Sequence, residues 1–104
     1  MINIGDKFIC YKETHFDDNP NGRFIFKQFK IYESEKNGCI TPETRNKYHT
    51  FTDPYWTERL IRLDDNAMRV LNYINIPLGD RIVLRNMIKR YMRHGEKIPN
   101  TNSR

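Results

Sequence analysis

This sequence predicts an α+β fold with its strands first. Three observations support this: apolar alternation is confined to residues 7–40, helical periodicity begins after residue 53, and turn-forming clusters divide both halves. The expected architecture is a small N-terminal antiparallel sheet of about three strands, curled or closed into a partial barrel. Two or three short C-terminal helices follow. A chain of 104 residues has room for one such domain, placed at residues 1–98, with residues 99–104 as a flexible tail.

The first strand is KFICYK, residues 7–12, which alternates Phe8 and Cys10 with Ile9 and Tyr11 after the turn signal Gly5-Asp6. The segment ETHFDDNPNG then gathers Asp17, Asp18, Asn19, Pro20, Asn21 and Gly22 into the strongest loop signal in the chain. RFIFKQFKIYES reads as one long aromatic strand, bent or bulged near Gln28, which makes a hairpin with the first strand and leaves an extended tip. Lys36-Asn37-Gly38 turns the chain into a short third strand at Cys39-Ile40, which Pro42 stops or confines to an edge.

Residues 41–53 are polar and read as a connection. Asp53-Pro54 then supplies an N-cap and a first-turn proline for a short helix through Tyr55, Trp56, Arg59, Leu60 and Leu63. Asp64 or Asp65 caps a second helix over Ala67, Met68, Leu71 and Tyr73, and Asn75-Ile76-Pro77-Leu78-Gly79 breaks it. The last helix takes Asp80 as its cap and runs from Arg81 to about His94. Ile82, Leu84, Met87, Ile88, Tyr91 and Met92 form its apolar stripe, and Gly95 is its stop.

Several function classes find no support in the sequence. There is no G-x-x-x-x-G-K-[ST], G-x-G-x-x-G or H-E-x-x-H motif, so the reading is a protein that is not an enzyme and carries no cofactor. Cys10, His15, Cys39 and His49 lack the close pairing of zinc ligands, so no metal is expected. Asp17, Asp18, Glu33 and Glu35 read as turn and strand-surface residues and not as a magnesium set. Cys39 and His49 carry no mark of activation, and Cys10 and Cys39 read as free thiols of a reducing compartment. No run approaches the roughly 18 apolar residues of a membrane span, and MINIGDKFIC has an acid where a signal peptide carries basic and then apolar residues. The expectation is a cytoplasmic protein without membrane contact.

Charge gives the strongest functional signal. The net charge is +5, of which residues 1–52 carry +1 and residues 53–104 carry +4. In the last helix Arg81, Arg85, Lys89, Arg93 and Lys97 recur every four residues, with Arg90 beside them. On a helix such a row drifts by about 40° per step and forms one gently wrapping positive ridge. A ridge of this kind suits a phosphate backbone, because each neutralised phosphate releases counterions and arginine bonds phosphate oxygens in pairs. A solvated helix face with cations near its C-terminus produces the same pattern. The helices at 65–74 and 80–94 also have the outline of a helix-turn-helix, with a link longer and more apolar than usual.

Aromatic residues give the second signal. Phe24, Phe26, Phe29 and Tyr32 interleave with Arg23, Lys27 and Lys30 as in sheets that stack bases, but a small sheet needs those rings for its core. Tyr48, Phe51, Tyr55 and Trp56 crowd YHTFTDPYW, where periodicity is too poor to make them all core. Either they form a partner-binding surface or the loop folds down as a lid. Two functions follow. The first is a small basic protein that binds nucleic acid through the ridge. The alternative is a protein-interaction module that docks on an acidic partner surface or self-associates, as an inhibitor or regulator of a host factor from an AT-rich phage or mobile element would.

Overall fold

The computed structural model describes residues 2–15, 19, 21–36, 38–44 and 48–95. They fall into two compact units that divide after Arg62. The elements expected over residues 16–18, 20, 37, 45–47 and 96–104, including the flexible tail, lie outside the described residues.

The first unit holds β1 (Lys7–Cys10), β2 (Thr14–His15), β3 (Phe24–Phe26), β4 (Ile31–Lys36), β5 (Cys39–Ile40), β6 (His49–Thr50), the single helical turn α1 (Pro54–Thr57) and β7 (Leu60–Arg62). Five strands form one sheet in the order β6-β5-β4-β1-β7, and β2 pairs with β3 in a separate ladder. All pairings are antiparallel, with Phe8 opposite Tyr32 and Arg62, and Ile9 opposite Ile31 and Ile61. The α+β class is therefore observed, with a larger sheet than the three strands expected.

Besides β2 and β6, which form in segments expected as loop and connection, two differences enlarge the set of strands. The aromatic run at 23–34 is not one bent strand: Phe29 adopts φ 69°, and the chain passes from β3 into β4 there. That conformation costs a residue with a Cβ roughly 1 kcal/mol. It is held by β1, because Cys10 accepts from the Phe29 N–H at 2.7 Å and donates its own N–H to the Lys30 carbonyl at 2.9 Å. The extended tip is thus a small ladder of its own. Secondly, the helix that opens at Pro54 ends at Thr57, and Leu60 and Ile61 are strand residues. Short apolar runs fit either period, and here the free edge of β1 decides between them. Leu60 pairs with Cys10, Ile61 pairs with Ile9, and both side chains are buried.

Phe8, Cys10, Phe26, Tyr32, Ile40 and Leu60 form the core of this unit, with Ile2, Ile25 and Phe51 packed against it. The Phe26 and Tyr32 rings meet edge to face at 5.0 Å. A fully buried phenylalanine such as Phe8 contributes roughly 2–3 kcal/mol by removing its ring from water. Polar ties set the corners. Buried Ser34 shares its hydroxyl between the Lys36 and Cys39 carbonyls where the β4–β5 register shifts, and Arg62 bonds Asp6 at 2.6 Å. Gly38, at φ 74°, supplies the left-handed residue of that turn.

The second unit begins at Leu63 and contains α2 (Ala67–Tyr73) and α3 (Leu78–Arg90), the latter continuing as a π-helical turn over Tyr91–Gly95. The N-cap of α2 is Asn66 and not Asp64 or Asp65 as expected; the Asp64 carboxylate instead accepts from the Asn66 N–H at 2.8 Å in the turn that leads into the helix. α3 starts three residues earlier than expected, with Pro77 at the N-cap and Asp80 inside the first turn, where a carboxylate still favours the helix dipole. Leu84 and Ile88 are its buried stripe. Ile82, expected among them, is 44% exposed and belongs to the solvent face. Among the described residues no helix is long and apolar enough to cross a membrane.

Candidate functional site

At about 100° per residue, the Leu84–Ile88 stripe fixes the direction of every other α3 side chain. Arg81 lies beside that stripe, and each four-residue step carries the cationic row about 40° further toward solvent. Exposure follows this drift: Arg81 and Arg85 are half-buried, whereas Lys89 and Arg93 are exposed, with Arg90 exposed beside them. Asp80, the acid of α3, projects roughly opposite Lys89 on the helical wheel.

Arg81 takes a structural role. Its guanidinium donates to the Leu71 carbonyl and, at 3.0 Å, to the Ile74 carbonyl, which closes the C-terminal end of α2 where carbonyls lack helical partners. Arg85, Lys89, Arg90 and Arg93 remain on the outer side of α3. Among the described residues none of these four takes part in an ion pair. Lys97 lies outside the described residues.

The N-terminal half of the same solvent face is apolar. Leu78 is 70% exposed and Val83 40%, and with Ile82 they precede the cations along the helix. Nothing in the sequence period separated Ile82 from Leu84. The signal that could have done so is the basic row itself, which fixes where the solvent face must lie.

Of the four aromatic residues expected at a partner surface, Phe51 and Tyr48 are found in different settings. Phe51 is half-buried, with its ring 4.5 Å from that of Phe8, and its N–H donates to the Gly38 carbonyl at 2.7 Å; it acts as the lid. Tyr48 is exposed, with the Lys36 ammonium 4.5 Å from its ring centre. The side chains of Tyr55 and Trp56 lie outside the described residues.

The aromatic and basic residues of the sheet unit are largely satisfied by one another. Phe26 and Tyr32 are core, and Phe24 has the His15 ring at 4.3 Å and the Lys27 ammonium at 5.4 Å. Lys30 is paired with Glu43. A cleft of about 420 Å³ beside them is lined by Lys30, Tyr32, Glu33, Glu35, Thr41 and Glu43. There the Tyr32 hydroxyl donates to Glu43 and accepts from the Lys27 N–H, both at 2.8 Å, and burial pushes its pKa up. Burial also works to raise the Glu43 pKa, but the hydrogen bonds from Lys30 and Tyr32 outweigh it and hold the carboxyl below its ordinary range.

The buried Cys10 thiol is pushed up to about 12 by burial and bonds the Lys12 carbonyl, so it is a poor nucleophile. No group of three or more His, Cys, Asp or Glu side chains is placed to hold a metal ion among the described residues. Compared with protein-family models, with curated proteins and with solved structures, the chain matches none.

Proposed function

We propose that this chain is a non-enzymatic, cytoplasmic protein that binds nucleic acid through Arg85, Lys89, Arg90 and Arg93 on the solvent face of α3. The observation that carries the reading is the charge on that face. Four cations gather there with no acid among them and no ion pair to any described residue. Cations in such a setting gain by exchanging condensed counterions on a phosphate backbone for direct contacts. Arg81 supports the row from beneath by holding α2 to α3, and Lys97 extends it along the chain. The test is fluorescence anisotropy of labelled single-stranded and duplex DNA and RNA, with Lys89→Glu/Arg90→Glu as the variant. Micromolar or tighter binding that the double reversal abolishes supports the reading. Binding that survives the reversal removes the ridge from it.

A second reading, a protein-interaction module such as an inhibitor or regulator of a host factor, is favoured by one specific observation. Tyr73 is 80% exposed and Leu78 70%, and phosphate contact makes no use of either. Under that reading Tyr48 and Trp56 contribute to capture of an acidic protein surface, and Trp56→Ala weakens it while nucleic-acid binding stays absent.

A further inference from the structure

Leu84 and Ile88 set the buried direction of α3, and at about 100° per residue Asn86 points directly away from their midpoint. Asn86 is exposed, and among the described residues its amide has no hydrogen-bond partner. Asparagine is a weak helix former because its side chain competes for backbone hydrogen bonds, so an open mid-helix position gains no stability from it. One turn later Lys89 and Arg90 diverge from Asn86 by roughly 60° and 40°, one to each side, and Arg85 lies on the Lys89 side at roughly 100°. The crest of the outer face is thus an amide with cations on both flanks.

Resting on the nucleic-acid reading, we infer that Asn86 reads an adenine in the major groove of duplex DNA while Arg85, Lys89 and Arg90 hold phosphates on either side. A helix with its side chains is about 10–12 Å across and the B-form major groove about 12 Å wide. A helix seated there brings its crest to the base edges and its flanks to the two strands. The amide of Asn86 offers a donor and an acceptor side by side, which adenine meets with its N7 acceptor and N6 donor. In that groove guanine shows two acceptors, cytosine one donor and thymine one acceptor, so none of them matches both halves of the amide. Duplex RNA fits poorly, because its deep, narrow major groove cannot be read by side chains. Single strands are held by rings that stack on bases, and α3 carries no aromatic residue. Tyr91, which follows it, projects within roughly 20° of Leu84 on the buried side.

The test is anisotropy of the full chain at about 50 mM salt on three labelled duplexes of equal length. One holds A·T pairs alone, one G·C pairs alone, and the third is the A·T duplex with 7-deazaadenine, which lacks N7 and leaves the minor groove and every phosphate in place. The native chain should bind A·T DNA about 10-fold or more tighter than G·C DNA, and 7-deazaadenine should remove most of that preference. Asn86→Ala, at an exposed position where alanine favours the helix, should bind all three with the native G·C affinity and keep its far-UV circular dichroism spectrum. Equal native affinity for A·T and G·C DNA, or a preference that survives 7-deazaadenine or Asn86→Ala, overturns the inference and leaves the nucleic-acid reading in place. Tighter binding to a single strand than to any duplex does the same. Binding to no duplex and no single strand removes both.

Discussion

Arg81 donates to the carbonyl oxygen of Ile74 at 3.0 Å, across the four-residue link between α2 and α3. A second N–H of the same guanidinium reaches the Leu71 carbonyl, so one side chain completes the end of a seven-residue helix too short to be stable alone. Arg81→Ala should therefore cost about 2 kcal/mol, the usual worth of hydrogen bonds to a charged group, read as a lower urea midpoint. Lysine, which cannot reach both carbonyls with a planar fork, should restore only part of the loss. Unchanged stability in Arg81→Ala would return this residue to the ligand-facing row.

Glu43 links stability to acid. Its folded pKa lies below the ordinary 4.5 because Lys30 and Tyr32 bond the carboxylate more strongly than burial penalises it. The unfolded chain takes up the proton first, so the contribution is fully present above pH 4.5 and is lost as pH falls through the folded value. Urea midpoints measured between pH 2 and 6 should fall more steeply for the native chain than for Glu43→Gln. Parallel profiles would show that the Lys30–Glu43–Tyr32 network adds nothing.

His15 links stability to base. Both ring nitrogens face acceptors, Nδ1 the Gly22 carbonyl and Nε2 the Glu13 carboxylate, each at 3.1 Å, so the imidazolium can donate to both. The Glu13 hydrogen bond is the larger cause of a pKa raised above 6.5. This contribution is fully present below 6.5 and is lost as pH rises through the folded value. A nuclear magnetic resonance titration should place His15 above 6.5 and Glu13→Gln below the native value; a midpoint at or under 6.5 in the native chain contradicts the arrangement.

Cys10 should resist thiol reagents while the protein is folded. Burial pushes its pKa up to about 12 and the Lys12 carbonyl occupies its proton. With Cys39→Ser as background, a disulfide reagent at pH 8 should label Cys10 only as fast as the unit opens, and immediately in denaturant. Rapid labelling without denaturant would mean that the β1 core is open.

The sequence made the order of elements readable where local chemistry decides it. Alternation marked β1, Gly38 the β4–β5 turn, Pro54 a helical start, and the four-residue period both α3 and its cations. Two misreadings have a shared cause in long-range pairing. Phe29 takes a left-handed conformation because Cys10 holds both its N–H and the next carbonyl, and Leu60-Ile61 extends because β1 has a free edge. Neither partner is near in sequence. For the candidate site, spacing gave the row, but the Arg81 contacts with Leu71 and Ile74 and the exposure of Ile82 depend on how α2 and α3 meet.

The most direct test of the nucleic-acid reading is the salt dependence of duplex affinity measured by anisotropy between about 50 and 200 mM salt. Four cations that each contact one phosphate predict a slope of log K against log salt near −3 to −4, reduced by about one unit for each of Arg85, Lys89, Arg90 and Arg93 replaced by glutamine. Arg81→Gln should leave the slope unchanged. No binding at the lower salt, or a slope indifferent to all four replacements, would contradict the assignment.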